Sequence, residues 1–568
     1  MVKGISEKKE NLFFLSVMAL LLVIQLGVLF YYGNEKSGFH EDEIYTYYST
    51  NKTAGLFVGD RQWMQRDQLR NDFVVLEGEG FRYNVVKQMQ SWDVHPPLYY
   101  YIFHTACSFF PGLFSKWLGI GVNLAAYMLS FVLLGYAAFT AVTGSRSPSE
   151  TLTRQARYLT ILTCMTWGFG TAVISGVVFI RMYQWLTVFV LLVLSLHLRA
   201  VKKQDFRIHS FLLPVGITVL LGFLTQYYYI IFHFFLGAGF CLYLLRNKRI
   251  RTLLSYGAVC ALSLGAALLY YPASLSHIFR GYRGTEAVGE FSDLSNTWGR
   301  LRFFFGLFDD YMMSDTLSWW LLLLLLLAVT VFYKRKRGKK ENFFKEGSFV
   351  TAPVLLVLFT AVGYFFTISK TALLLGETSN RYQLPIYGIW IFLLCYCLWT
   401  LLEELLPSKA APIAALLLAI LFLAMDVVSL VKGRVFFLYQ EEKAVMEFVK
   451  HNAGEHPAAV FYNEASPNNI WRLSDELMEY PEVYLASLGN QEPVRDSVLT
   501  GCDSLLLYVA DYGESDALSE GAEGKASEIL PQEAQRLLLE NENLDHCRLV
   551  AEKGIWRLYL LWGQKSRE

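Results

Sequence analysis

The chain has 568 residues, 54% of them hydrophobic and 16% aromatic, with 50 basic and 50 acidic side chains and so no formal net charge. So apolar a composition excludes an ordinary soluble protein and points to a polytopic membrane protein. The balance of charge hides an asymmetry: residues 441–568 hold 24 acidic and 11 basic side chains, a charge of −13, so the first 440 carry +13.

About 20 helical residues cross a hydrocarbon core. Apolar runs of that order lie near 11–32, 116–143, 158–178, 182–200, 210–226, 228–245, 253–272, 317–333, 348–368, 384–402 and 411–431, eleven in all. The first is too long for a signal-peptide core and lacks a convincing small-residue cleavage site, so it reads as a retained span. A shorter stretch, 98–110, sits between Pro96-Pro97 and Pro111-Gly112 and suits an interfacial or re-entrant helix. With eleven crossings the basic clusters at Lys3, Lys8 and Lys9, at 146–157, 199–207, 246–251 and 334–345, and Lys409, all fall on one side, which the positive-inside rule makes cytoplasmic. The N-terminus is then cytoplasmic. Segment 33–115 becomes the first outer loop, and the tail lies outside the cytoplasm.

From about 433 the sequence alternates helix-like pieces (441–451, 470–478, 531–540) with strand-like ones (458–462, 483–488, 504–509, 547–550, 556–560). The expected organisation is a transmembrane domain over 1–432 and a small extracytoplasmic α/β domain over 433–568. Residues 511–527, rich in Gly, Ser, Glu and Asp, read as a loop. No Walker-type loop and no Gly-x-Gly-x-x-Gly is present, so nothing suggests a nucleotide site. Of eight cysteines, six lie in apolar runs; Cys502 and Cys547 could pair in an oxidising compartment.

Glu41-Asp42-Glu43 follows the first span directly. Carboxylates so near a bilayer face water, protein or a functional cavity. By themselves they read most simply as a solvated loop anchor flanked by Tyr45, Tyr47 and Tyr48; the sharper reading is a base held at the membrane surface. Further on, Asp93-Val94-His95-Pro96-Pro97-Leu98-Tyr99-Tyr100 forces an extended approach and then permits a helix to start, fixing Asp93 and His95 at the turn. A capped interfacial helix is the plainer alternative.

Together these motifs resemble the GT-C superfamily of membrane glycosyltransferases, in the branch related to protein O-mannosyltransferases and aminoarabinose transferases. Phe179-Ile180-Arg181-Met182-Tyr183 is similar to the family's Arg-Met-Tyr, Thr225-Gln226-Tyr227-Tyr228 to its Thr-His-Tyr-Tyr, and Asn380-Arg381-Tyr382-Gln383-Leu384-Pro385 to its Arg-Tyr-x-x-Pro. The resemblance covers residues 11–430 and departs at Gln226, where the family often has His. It implies about eleven transmembrane helices with interfacial helices in the first outer loop. The implied activity is transfer of a sugar from a polyprenyl phosphate to an acceptor hydroxyl on protein, glycan or lipid, in the plasma membrane of a bacterium.

Such a donor carries its own leaving group, so one base suffices for a single inverting displacement, in contrast to the two carboxylates of glycoside hydrolysis. Asp42 is the expected base by motif match, with Glu43 orienting the acceptor or a neighbour. Arg181 and Arg381 are the expected phosphate ligands, because guanidinium meets phosphate in bidentate fashion; interfacial snorkelling is the alternative for each. His95 is expected to bond the phosphate, fix Asp42 or cap its own turn. Asp93, Tyr183, Gln226, Tyr227 and Tyr382 complete the candidate substrate-binding set, although such tyrosines are more often belt aromatics. Arg280 and Arg283 are alternative phosphate ligands that read more simply as surface charge. Asp309-Asp310 is weak as a cation site. No cofactor, metal or nucleic-acid partner is expected. The rival functions are a transporter or flippase of lipid-linked sugars, a polymerase or ligase of lipid-linked glycans on the same fold, and a receptor-like anchor for the tail.

Overall fold

The computed structural model describes residues 2–52, 58–144, 148–337, 351–407, 410–464, 467–511, 521–541 and 543–563. Of the basic residues in these clusters and loops, Arg146, Lys339, Lys340, Lys345 and Lys409 lie outside them, as do the side chains of Lys3, Lys8, Arg283 and Arg337.

The chain is a multi-pass membrane protein. Ten helices among the described residues are long and apolar enough to cross a bilayer: Lys9–Glu35, Lys116–Thr143, Tyr183–Lys203, Ile208–Thr225, Tyr229–Arg246, Ile250–Tyr270, Leu317–Lys336, Ala352–Thr371, Gly376–Leu405 and Pro412–Val431. The pair Glu150–Phe169 and Thr171–Val178, bent by 58°, makes an eleventh if counted as one span. Each falls on one of the eleven apolar runs. The helix Leu98–Ser108 has only 11 residues, about 16 Å of rise, which is short against a core of about 30 Å.

The chain divides into two units. The first comprises Met1–Asn34, Gln90–Phe103 and Lys116–Phe437 and holds the spans. Its interior is tied by uncharged polar groups. Buried Gln25, on the first span, donates to the carbonyls of Cys164 (3.0 Å) and Met165 (3.3 Å) and accepts from the Tyr127 hydroxyl (2.8 Å). The approach needs Gly168, since a Cβ there would come within 2.2 Å of the Gln25 amide nitrogen. Buried Asn123 donates to the carbonyls of Val177 (3.2 Å) and Phe179 (2.6 Å), which the end of the bent span releases from helical bonding.

The second unit comprises Glu35–Met89, His104–Ser115 and Leu438–Glu568. Most of segment 33–115 therefore groups with the C-terminal residues, and the division expected at 432/433 is drawn differently. Seven strands, β1 (Gln62–Gln65), β2 (Ala458–Tyr462), β3 (Glu482–Ser487), β4 (Ser504–Ala510), β5 (Glu523–Lys525), β6 (His546–Lys553) and β7 (Trp556–Trp562), form one sheet in the order β1-β3-β2-β4-β7-β6-β5. Strands β3, β2 and β4 pair in parallel and the rest antiparallel. Phe461, Leu505, Leu507, Leu549 and Leu561 are the middle of its core. Strands 458–462, 483–488, 504–509, 547–550 and 556–560 were legible from alternation and apolar runs. β1 and β5 are short and polar, and only pairing makes them strands. β1 covers what would otherwise be an open sheet edge, a standing liability in any sheet. Arg66 fixes it further by donating to the Tyr480 carbonyl at 3.1 Å. Cys502 and Cys547 are free thiols.

Replacing Gln25 by Leu strands the Tyr127 hydroxyl among apolar side chains. The expected loss is about 1 kcal/mol of stability, read from the midpoint of thermal or denaturant unfolding in detergent. An unchanged midpoint would show that this contact does not hold the first span.

Candidate active site

In the first unit, two clusters gather where several spans end. The turn Phe179–Met182 separates the helices Thr171–Val178 and Tyr183–Lys203 and is held by Asn123 from below. It presents Arg181, which is 4% exposed. The guanidinium lies 3.1 Å from the Tyr100 hydroxyl, to which it donates, and 3.1 Å from His95 Nε2. The other His95 nitrogen, Nδ1, is 2.9 Å from Asp93 Oδ2. A guanidinium only donates and a carboxylate only accepts. His95 therefore carries its proton on Nδ1 and offers a lone pair to Arg181. Burial raises the Asp93 carboxyl, but its partners His95 and then Arg181 outweigh it and bring it down to about 2. The Asp93–His95–Arg181 relay fixes the direction of the guanidinium.

Tyr271 donates to the His95 carbonyl at 3.3 Å. Next to it, Tyr227 lies 2.9 Å from His277 Nδ1, and His277 Nε2 is 3.3 Å from the Ser91 carbonyl. The carbonyl fixes the tautomer, so Nε2 carries the hydrogen and the Tyr227 hydroxyl donates to Nδ1. Burial lowers the His277 pKa, in keeping with a neutral ring. Tyr227 is thereby a fixed wall of the diproline turn.

The second cluster surrounds Arg381, 7% exposed, in the first turn of Asn380–Leu405. Its guanidinium sits 5.1, 5.6 and 5.8 Å from the ring centres of Tyr382, Phe179 and Tyr183, and donates to the Tyr382 hydroxyl at 3.2 Å. Tyr382 also meets Tyr183 and Tyr228 edge to face, each at 5.8 Å. An aromatic cage of this kind holds a cation without neutralising it. Gln226 is buried at the end of Leu213–Thr225, and its side-chain oxygen accepts from the Tyr228 amide, closing the tight turn between two spans. Arg280 is exposed. Asp309 caps the next helix by accepting from the Leu317 amide at 2.8 Å. Among the described residues no group of three or more His, Cys, Asp or Glu side chains could hold a metal ion.

Asp42 and Glu43 belong to the second unit. The helix Glu41–Asn51 opens with a capping box: His40 Nδ1 accepts from the Asp42 amide at 3.0 Å and Glu43 accepts from the His40 amide at 2.6 Å. Asp42 is about one-third exposed in the first helical turn, where the amide dipoles favour an anion. Glu41 is exposed. Glu43 is inaccessible and pairs at 2.9 Å with Lys36, which is equally buried. It is therefore placed to hold the turn, rather than to meet an acceptor.

That ion pair joins a larger web. Lys36 lies 5.3 Å from the Tyr439 ring centre, and Arg472 lies over the same ring at 4.9 Å. Arg472 pairs with Glu442, and Lys553 reaches Glu442 (2.9 Å), Glu476 (2.7 Å) and Asp475 (3.5 Å). Tyr439 takes a positive φ of 52°, costly for an aromatic residue and tolerated where the surroundings over-determine it. Burial lowers the Lys36 pKa, and Glu43 works against that shift.

The sequence reading missed Tyr100, Asn123, Tyr271, His277 and Lys36. A lone Asn in an apolar span was the available signal for Asn123, and a single Lys beside an acidic cluster was the signal for Lys36.

No protein-family model matches the chain, and no curated protein does. Among solved structures, it is similar to ArnT from Cupriavidus metallidurans in the apo state, with a TM-score of 0.50 and 11% identity over 95% of this chain and 97% of that one. ArnT from the same organism bound to undecaprenyl phosphate gives a TM-score of 0.49 at the same identity and coverage. The fold is thus that of the apo ArnT structure.

Lys36→Met leaves Glu43 buried without its ammonium. The expected cost is about 3–5 kcal/mol, with recovery in the Lys36→Met/Glu43→Gln double variant, read from unfolding midpoints. A single variant as stable as wild type would remove the pair's structural role. Asp93 supplies a pH test. Its folded value lies below the ordinary 3.8, so its stabilisation is present above that value and is lost as pH falls through about 2. The difference in Tm between wild type and Asp93→Asn should stay constant from about pH 7 to about pH 5 and shrink only at lower pH. A gap that already narrows above about pH 5 would contradict the relay.

Proposed function

We propose that this chain is an integral-membrane, inverting glycosyltransferase that moves a sugar from a polyprenyl phosphate to an acceptor hydroxyl on the extracytoplasmic face. The observation that carries the reading is the Asp93–His95–Arg181 relay, which aims a buried guanidinium at a place where spans end. A phosphate at the head of a lipid would lie at that level, and guanidinium is the side chain best matched to it. The fold shared with the apo ArnT structure, together with the motifs that resemble GT-C glycosyltransferases, supports the reaction class.

The acceptor oxygen attacks the anomeric carbon as the bond from that carbon to the phosphate oxygen breaks. Asp42 takes the acceptor's proton, and the polyprenyl phosphate leaves with the bonding electrons. Asp42 suits the part because it sits in the first turn of its helix, where amide dipoles favour an anion, and its side chain stays partly open. Glu43 and Lys36 act through it as positioning residues. Arg181 takes up charge on the departing phosphate, and the caged Arg381 is the second cation available for it. Tyr183, Tyr227 and Tyr382 line the donor's approach, and Gln226 keeps a structural part in its turn. The step needs no cofactor. The protein acts in the bacterial plasma membrane, and the acceptor is a protein, a glycan or a lipid.

Asp42→Asn, assayed in membranes with labelled lipid-phosphate sugars, should lower transfer about a hundred- to ten-thousand-fold while leaving the protein folded. Undiminished transfer would sink Asp42 as the base. Arg181→Ala should abolish donor turnover and Arg181→Lys should restore part of it. Equal turnover in all three proteins would remove the phosphate role.

A further inference from the structure

At the opposite ends of some of these spans, the first unit has a cleft of about 930 Å³ that the transfer reaction does not use. It opens where Tyr183–Lys203 ends and where Ile208–Thr225 and Ile250–Tyr270 begin. Arg199, Lys202, Lys203, Arg207 and Arg249 line it, against a single carboxylate, Asp205, which Arg207 holds at 2.9 and 3.0 Å.

Two of the cations, Lys202 and Arg249, are fixed by neutral groups. Gln204 ends its helix in the left-handed region, with φ 51°, and from there accepts from Arg249 at 3.0 Å. The Arg249 guanidinium also stacks 5.0 Å from the Phe206 ring centre. Lys202 donates to the Thr143 hydroxyl at 2.5 Å and lies 5.5 Å from the Phe139 ring. None of these contacts cancels charge. Five cations around one pocket repel one another, and an anion seated among them relieves that repulsion.

The two helices that begin at the cleft supply the second observation. Ile208 is 63% exposed, Leu213 50%, Ile250 50% and Leu254 66%. Such side chains at a span end are faced by acyl chains in a bilayer. A basic pocket beside an apolar, lipid-facing helix start matches a molecule with an anionic head and apolar tails. A soluble anion would use only the first of these features.

We propose that this cleft binds the headgroup of an anionic phospholipid in the leaflet that the positive-inside rule assigns to the cytoplasm. The proposal is independent of the transferase reading, because the lipid is neither donor nor product. It gives these loops a binding role beyond setting orientation.

The test is native mass spectrometry of the full-length protein released from nanodiscs of equal parts phosphatidylglycerol and phosphatidylethanolamine. Phosphatidylglycerol should remain bound at least about fivefold over phosphatidylethanolamine, since each basic side chain near the surface contributes about 1 kcal/mol. Lys203→Gln/Arg249→Gln should cut its retention about tenfold or more at an unchanged unfolding midpoint, and Arg249→Lys should keep it. Equal retention of the two lipids would overturn the proposal. So would undiminished phosphatidylglycerol on the double variant, or its displacement by an equal concentration of inorganic phosphate, which would assign the cleft to a soluble anion.

Discussion

The cost of charge in hydrocarbon arranges this protein. An ionised group at the middle of a bilayer is penalised by several kcal/mol at least, so the charged motifs sit where helices end. Arg181 occupies the break between two helices, Arg381 the first turn of another, and the basic cleft a third set of helix ends. Between those levels the spans are joined by groups that are polar and uncharged: the Gln25 amide with Tyr127, and the Asn123 amide with two released carbonyls. One of these contacts also fixes a candidate residue, since Asn123 holds the turn that presents Arg181.

The second unit answers the same cost differently. It buries full charges, but only in opposed pairs and with aromatic faces between them. Lys36, Glu43, Arg472, Glu442, Lys553 and Glu476 come from stretches hundreds of residues apart. A web of this kind adds little to stability compared with an apolar core, but breaking one member is severe. What it contributes is a fixed geometry. The helix turn carrying Asp42 rests on Glu43, Glu43 rests on Lys36, and the aromatic ring against Lys36 belongs to Tyr439 in the C-terminal segment. The C-terminal segment is thereby coupled to the candidate base.

Relays of this type explain why individual motif residues need not touch substrate. His95 is consumed in joining Asp93 to Arg181, and Gln226 in closing a turn. Tyr227 is consumed by His277. The proposed chemistry then falls on few groups, Asp42 and the two arginines, with most of the remaining motif residues devoted to aiming them.

The sequence by itself determined the apolar runs that become ten helices of spanning length and one bent pair, the short interfacial-length helix after the diproline and the five main strands of the tail. Hydrophobic run length and alternation are local properties, and the bilayer and the sheet core act on them directly. It also picked out Asp93, His95, Arg181 and Arg381, because charged residues at the edges of apolar runs are conspicuous. Only the tertiary structure decided that Glu43 is a buried anchor paired with Lys36, that Asn123 holds the turn carrying Arg181, and that 62–65 is a strand of the C-terminal sheet. Each of those depends on a partner far away in the chain, such as β3 for β1 or Phe179 for Asn123. A sequence displays the side chains that must be satisfied, but the partner that satisfies each one is chosen only when the chain folds.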